Sequence, residues 1–165
     1  MARVTAEYPD AEIAQRTQSS ERRSERIGKP IEFTFKDAIN GRTISLQKDL
    51  RGKVVVIEFW STQCGPCVAE LPKLKGLYNE YKGMGVEFIG VSLDEASEEG
   101  RKAVRDFVQK NRIEWLQSHG EDADEFVSSW DITLIPTVFV VDTKGNLHSV
   151  EGRGRLDSLI PELLR

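Results

Sequence analysis

Residues 53–72 read KVVVIEFWSTQCGPCVAELP, and they carry the strongest structural signal in the chain. The first part, Lys53 to Trp60, is a nearly unbroken apolar run, which is typical of a strand buried on both faces of a sheet. The second part opens a helix that we expect to run from Gly65 to Tyr81, because apolar side chains recur there at helical spacing. A buried strand that leads directly into a helix predicts an α/β domain.

The segments on either side of this stretch predict a mixed central sheet. Upstream, two short alternating segments, residues 32–35 and 43–46, flank Asn40-Gly41, a dipeptide typical of a β-hairpin. Downstream, hydrophobic patterns predict strands at 86–92, 137–141 and 147–150, and helices at 97–111, 122–129 and 156–164. This order implies parallel pairing in the middle of the sheet, an antiparallel edge, and helices on both faces.

The chain divides by composition into two parts. Its 165 residues suffice for one domain with its own core, which we expect to span residues 29–165. Residues 1–28 are rich in Glu, Arg, Gln and Ser, and we expect them to form a polar N-terminal arm or linker. A polar helix between Ala11 and Arg26 fits this composition as well as a linker does, and we favour a weakly ordered tail.

Charge and hydropathy exclude several classes of partner. A net charge of -4 gives no electrostatic reason to expect nucleic acid. The longest apolar run is too short to span a membrane, and no apolar segment of the signal-peptide kind follows Met1. We therefore expect no membrane insertion by this segment, and a monomer, because no additional apolar face is evident.

Two cysteines, Cys64 and Cys67, lie three residues apart. A disulfide that closes so small a loop restrains the unfolded chain very little, so the pair indicates chemistry rather than structural cross-linking. Cys64 directly precedes the predicted helix, where unpaired N–H groups and the helix dipole favour a thiolate. We expect Cys64 to attack a disulfide and Cys67 to resolve the mixed disulfide. Gly65 and Pro66 suit the first helical turn.

The sequence also bears on metal binding and haem attachment by the cysteine pair. A zinc site usually needs four ligands, and the remaining candidates are His119 and His148, which we expect at the surface. Covalent haem attachment needs a histidine directly after the second cysteine, where this chain has Val68. An inert buried pair stays open, as does a Cu(I)-binding or copper-delivery module that uses both thiolates.

The cysteine segment, residues 59–72, resembles the active-site signature of thioredoxin-like proteins. More narrowly, it is similar to that of the TlpA/ResA-type bacterial thiol–disulfide oxidoreductases, a group related to the AhpC/TSA proteins. The segments KVVVI at 53–57, GVSLD at 90–94 and IPTVFVVD at 135–142 match that group too. The resemblance covers about residues 29–165 and implies a thioredoxin fold with an N-terminal β-hairpin extension. It also implies a redox-active disulfide, with no other cofactor and no metal, and a role in cell redox homeostasis.

The resemblance assigns a substrate-facing surface around the cysteines. Pro136 matches the cis-proline that faces the pair and aligns a substrate strand, and Ile135 precedes it. An ordinary proline at the start of a strand is the alternative. Trp60, Gly65 and Pro66 complete the expected substrate-binding set.

Glu58 stands where the family places a buried acid near the resolving cysteine. It interrupts an apolar strand, and a buried carboxylate is unfavourable unless it has a partner or a task. We hypothesise that it accepts the Cys67 proton during resolution. A strand residue that points to solvent is the alternative, because strand faces alternate.

The resemblance also implies partners and a location. We expect a protein disulfide as substrate, an upstream thiol as electron donor, and a place in the periplasm or cell envelope of a bacterium. Gln63 stands where thioredoxins proper usually carry Trp, so we expect a more polar substrate-facing surface. The Gly65-Pro66 dipeptide between the cysteines favours a reducing couple.

Overall fold

The computed structural model describes the backbone of residues 4–165 and the side chains from residue 10 onward. In chain order, its elements are α1 (Val4–Ser24), β1 (Thr34–Lys36), β2 (Thr43–Ser45), α2 (Leu46–Asp49), β3 (Val54–Trp60), α3 (Gly65–Tyr81), β4 (Val86–Ser92), α4 (Glu98–Lys110), β5 (Leu116–Ser118), α5 (Glu121–Ser129), β6 (Thr137–Val141), β7 (Leu147–Ser149) and α6 (Leu156–Leu163). One 3₁₀ turn, Lys82–Met84, follows α3.

Five of the strands form one mixed sheet in the order β5-β4-β3-β6-β7. Strands β3, β4 and β5 run parallel to one another, whereas β6 is antiparallel to β3 and β7 is antiparallel to β6. Strands β1 and β2 pair separately as an antiparallel hairpin. The predicted mixed sheet and hairpin are therefore confirmed. Strand β5 was not predicted, because three residues between two helices carry too little hydrophobic pattern.

Strand β3 occupies the centre of the sheet, and all seven of its side chains are buried. Alternation along the strand sends these side chains into two apolar clusters, one on each face of the sheet. The cluster with Val56 and Trp60 contains both cysteines and the inward faces of α3, α4 and α6. The cluster with Ile57 and Phe59 is covered by α5 and the hairpin. The sheet thus carries helices on both faces, as the sequence predicts.

The hairpin is fastened to the sheet by aromatic packing and by hydrogen bonds at an edge. Phe33, just before β1, stacks on Phe126 of α5 with ring centroids 3.9 Å apart. The backbone N–H of Ala38 donates to the carbonyl of Gln117 in β5 at 2.8 Å, and an isolated bridge joins Asp37 to Ser118. The hairpin therefore covers the otherwise open edge of β5.

Residues 4–24 form helix α1 rather than the weakly ordered tail favoured above. Arginines at and just after its C-terminal end bind the turn after α5. Arg23 donates to the carbonyls of Trp130 and Asp131 at 3.3 and 2.8 Å, and the Arg26 guanidinium lies 3.3 Å from the centre of the Trp130 ring. The role of residues 1–28 as an arm or linker stays a prediction, and residues 1–3 lie outside the described part.

No helix within residues 4–165 combines the length and the apolar character needed to cross a membrane.

Replacing Phe139 with alanine tests the packing around β3. Phe139 is fully buried in β6, and its ring packs edge-on against Phe59 and Trp130 at 5.0 and 5.2 Å. We expect Phe139→Ala to lower the free energy of unfolding by about 3–5 kcal/mol, measured by urea denaturation. Met84 is 58% exposed, so Met84→Ala should change the free energy of unfolding by less than about 0.5 kcal/mol. Equal losses in the two variants would contradict this packing.

Candidate active site

The cysteine pair lies where strand β3 gives way to helix α3. Trp60 ends the strand, and Cys64 is the N-cap of the helix with extended backbone angles (φ −86°, ψ 101°). The backbone N–H of Cys67 donates to the Cys64 sulfur at 3.2 Å. The two cysteines form a disulfide with their Cα atoms 5.3 Å apart. Cys64 is thus held at the helix N-terminus that the sequence predicts.

The electrostatics of this helix end favour a negatively charged sulfur. The first-turn N–H groups of α3 have no carbonyl partner within the helix, and the helix dipole adds positive potential there. No acidic residue occupies the first turn of α3. Cys64 is 9% exposed and Cys67 is 4% exposed, whereas Gly65 and Pro66 between them are exposed. Cys64 is therefore the more accessible of the two cysteines, while Cys67 is more deeply buried.

The loop that leads into the helix is fixed by an acid from the end of the neighbouring strand. Asp94, just after β4, accepts hydrogen bonds from the Thr62 hydroxyl at 2.6 Å and from the Thr62 N–H at 3.0 Å. The hydroxyl of Ser92 also donates to it, at 2.7 Å. These bonds hold the approach to Cys64 in one conformation.

The peptide bond between Ile135 and Pro136 is cis, and it directly precedes β6. Phe59 in β3 pairs with Thr137 in the antiparallel strand β6, so the start of β6 lies beside the end of β3. Pro136 is consequently at the same edge of the sheet as the cysteines. Ile135 is half-buried and packs against the cluster that contains Cys64 and Cys67.

Glu58 points into the core rather than to solvent, and its side chain is buried on the face of β3 that also carries Trp60. Burial and, to a smaller extent, the charge of nearby Glu70 together raise the pKa of its carboxyl to about 8. Glu58 and Cys67 both line a cavity of about 10 Å³ beneath the disulfide. A buried acid therefore shares a small enclosed space with the inner cysteine.

Glu70, on helix α3, is partly exposed and pairs with the guanidinium of Arg153. This contact ties the helix to the loop before α6. Since Glu70 raises the pKa of Glu58, the Arg153 cation partly offsets the charge that does so.

Trp60 packs beneath the cysteines and is fixed from two sides. Its indole N–H donates to Oε1 of Gln117 at 3.2 Å, and its ring lies 5.2 Å from that of Phe107. Gln117 and Trp115 also line the cavity shared by Glu58 and Cys67. Sequence reasoning missed both residues, because strand β5 was not predicted and Gln117 resembles a surface residue in the sequence.

Neither histidine lines the cavity that Glu58 and Cys67 share. His119 is half-buried and contacts the carbonyl of Glu95 at 2.8 Å, and His148 is half-buried in β7. Among the residues that the structure describes, no three His, Cys, Asp or Glu side chains converge as a metal site requires.

Comparison with known proteins gives the same family at the level of sequence and of fold. A family model described as Redoxin matches residues 26–155. The chain is 32% identical over 134 residues to the thiol-disulfide oxidoreductase ResA of Bacillus thuringiensis subsp. konkukian, an alignment that covers 81% of this chain and 74% of that protein. It is 29% identical over 132 residues to ResA of Bacillus subtilis, covering 80% and 70% of the two chains.

Two solved structures share the fold. The thioredoxin domain of a thiol-disulfide oxidoreductase from Bacteroides vulgatus superimposes with a TM-score of 0.67 at 27% identity, covering 83% of this chain and 97% of that one. StoA from Bacillus subtilis superimposes with a TM-score of 0.59 at 27% identity, covering 73% and 86%. The chain therefore belongs to the redoxin family, as a thioredoxin-like thiol–disulfide oxidoreductase of the TlpA/ResA type.

Proposed function

We propose that this protein reduces disulfide bonds of other proteins by exchange at Cys64 and Cys67. The observation that carries the proposal is the cysteine pair at the N-terminus of α3, with the buried acid Glu58 beside its inner member. The Gly65-Pro66 dipeptide supports the reducing direction. The family resemblance supports a periplasmic or envelope location in a bacterium, and the lack of an additional apolar face in the sequence supports a monomer.

The first step forms a mixed disulfide. In the reduced protein, the Cys64 thiolate attacks one sulfur of the substrate disulfide. A new bond joins Cys64 to that sulfur, the substrate S–S bond breaks, and the second substrate sulfur leaves as a thiolate that takes a proton from solvent. The helix N-terminus stabilises the attacking anion before the reaction.

The second step releases the substrate. Cys67 gives its proton to the Glu58 carboxylate, and the resulting thiolate attacks the Cys64 sulfur. The Cys64–substrate bond breaks and the substrate leaves reduced, while the Cys64–Cys67 disulfide forms. Two electrons have then passed from the protein to its substrate, and an upstream thiol donor must return them.

The pKa of Glu58 suits this proton transfer. A free cysteine thiol has a pKa of about 8.5, and burial places that of Glu58 at about 8 in the disulfide form. The raised pKa of Glu58 makes its carboxylate a stronger proton acceptor for a thiol. An ordinary exposed glutamate, with a pKa near 4.3, would be a much weaker base.

Two kinds of residue shape the substrate surface. Gly65 and Pro66 are exposed beside Cys64, and Ile135 is half-buried at the same edge of the sheet, so we assign these three to direct contact with a substrate strand. Trp60 and Pro136 are buried. They would support that surface from beneath.

Serine variants test the order of attack. With Cys67→Ser, we expect the protein to accumulate a mixed disulfide with a disulfide-bonded test peptide, because the resolving sulfur is gone. With Cys64→Ser, we expect no adduct at neutral pH. Mass spectrometry under non-reducing conditions distinguishes the two, and an adduct that forms only through Cys67 would reverse the assigned roles.

Glu58→Gln tests the proton acceptor. In the native protein, the rate of mixed-disulfide resolution should rise with pH as the Glu58 carboxyl ionises, with a midpoint near 8. In Glu58→Gln we expect this rate to fall by about a hundredfold at pH 7, because no base takes the Cys67 proton. Quenched-flow trapping of the mixed disulfide measures the rate of resolution. Glu32→Gln, at an exposed position, should behave as the native protein does, and an unchanged rate in Glu58→Gln would refute this role.

The stability of the oxidised protein should also depend on Glu58. Between pH 4.5 and about 8, the unfolded chain has released this proton while the folded protein retains it. Stability from this group is therefore complete below pH 4.5 and is lost as the pH rises through 8, with a total loss of about 5 kcal/mol.

Urea denaturation across this pH range measures the effect. We expect Glu58→Gln to be increasingly stabilised relative to the native protein as the pH rises, because a neutral amide has no proton to lose. A difference between the two proteins that stays constant from pH 5 to pH 9 would mean that Glu58 titrates normally.

A further inference from the structure

A small cavity lies beside Cys67, and only some of the polar groups in its mostly apolar wall belong to the exchange chemistry described above. Its volume is about 10 Å³, about that needed for one water molecule. Glu58 and Cys67 line it together with Trp115 and Gln117 from the strand β5 region, and the rest of the wall is Trp60, Val68, Leu71, Phe107 and Ile113. Trp115 and Gln117 take no part in the exchange reaction itself.

The sheet register explains how this cavity arises. Glu58 in β3 pairs with Gly90 in β4, and Gly90 pairs with Gln117 in β5, so the three residues form one row across the sheet. Partners in register point to the same face. A Cβ atom at Gly90 would come within 2.3 Å of Oε1 of Gln117 and within 2.8 Å of Nε1 of Trp60. The missing side chain at Gly90 therefore leaves the space into which Gln117 extends.

The orientation of the Gln117 amide follows from its neighbour. Trp60 can only donate a hydrogen bond through its indole N–H, and this N–H contacts Oε1 of Gln117 at 3.2 Å. The amide nitrogen must then point the other way. Within the described part of the chain, neither this Nε2 atom nor Nε1 of Trp115 has a hydrogen-bond partner. The two residues are 1% and 4% exposed, and buried donors rarely stay unpaired.

We propose that Gln117 and Trp115 hold one water molecule in this cavity and, through it, position and support the Glu58 carboxylate. The water oxygen accepts from Gln117 Nε2 and Trp115 Nε1, and its two hydrogens serve the Glu58 carboxylate and the Cys67 sulfur. Its four hydrogen bonds are then complete. This proposal rests on the role of Glu58 proposed above and adds two positioning residues to it.

The proton balance of the resolving step is kept. The Cys67 thiol gives its proton directly to the Glu58 carboxylate, because both acceptor positions of the water oxygen are taken by Gln117 and Trp115. The water is unchanged at the end, Cys67 is a thiolate, and Glu58 is neutral.

The groups around Glu58 determine whether its carboxyl is neutral or ionised. Helix α3 presents the Cys67 thiol and Glu70, and Glu70 is paired with Arg153 from the loop before α6. The groups that reach the cavity from α4 and the β5 region, Phe107 and the pair Trp115 and Gln117, carry no charge. Burial and Glu70 favour the neutral acid, whereas the water held by two donors favours the carboxylate.

The hairpin holds this arrangement in place. The Gln117 carbonyl accepts from the N–H of Ala38 at 2.8 Å, and the Gln117 N–H donates to Oδ1 of Asp37 at 3.4 Å. The family's N-terminal extension therefore fixes the backbone of the residue that faces the acid.

Trp115→Phe tests the proposal with little change in packing. It removes the indole N–H but keeps an aromatic ring against Tyr78 and Phe88, which lie 5.3 and 5.5 Å away. The Glu58 titration is followed in the oxidised protein through the ¹³C shift of its labelled carboxyl. We expect the midpoint to rise by about one pH unit, because the carboxylate loses support. Gln117→Leu should move it in the same direction.

Trp130→Phe is the matched control, because Trp130 is equally buried but lies in the apolar cluster on the other face of the sheet. It should leave the Glu58 midpoint where it is. An unchanged midpoint in both Trp115→Phe and Gln117→Leu, or an equal shift in Trp130→Phe, would overturn the proposal. The titration needs no redox turnover, so it can succeed even where the Glu58→Gln kinetics refute the role of Glu58 as proton acceptor.

Discussion

The burial of strand β3 on both faces is the constraint on which the rest of this structure depends. Every side chain of the strand is enclosed, so its apolar residues hold the two clusters together. The same enclosure surrounds Glu58 and raises the pKa of its carboxyl. Where the strand ends, the chain turns directly into α3 and brings the cysteines to the helix N-terminus. Fold stability and redox chemistry therefore share one strand.

The site also depends on elements that carry no reacting group. Gly90 leaves room in the sheet, β5 supplies Gln117 and its neighbour Trp115, and the hairpin fixes the β5 backbone. On the other side, the antiparallel pairing of β6 with β3 brings Pro136 to the edge where the cysteines lie. The mixed order of the sheet thus determines which residues surround the cysteine pair. The parallel strands supply Glu58 and Gln117, and the antiparallel strand β6 follows the cis-proline Pro136.

Much of this was accessible from the sequence because the signals were local. The apolar run before Trp60, the helical spacing after Cys64 and the Asn40-Gly41 turn each depend on neighbouring residues, and the structure has the corresponding elements. The apolar run around Glu58 predicts a strand buried on both faces, whereas its position near Cys67 could be anticipated only through the family resemblance. Gln117 could not be found, because its role depends on the register of three strands and on the missing side chain of Gly90. The attachment of the end of α1 likewise depends on arginine contacts with Trp130, which is distant in sequence.

The reduction potential of the Cys64–Cys67 couple tests the central claim most directly. The protein would be equilibrated in thiol–disulfide buffers of known potential, and its free thiols trapped and counted. We predict a strongly negative value, closer to the approximately −270 mV of thioredoxin than to the approximately −120 mV of the oxidant DsbA. A value near that of DsbA would contradict the reducing direction. The absence of any reversible couple would contradict thiol–disulfide exchange at this pair altogether.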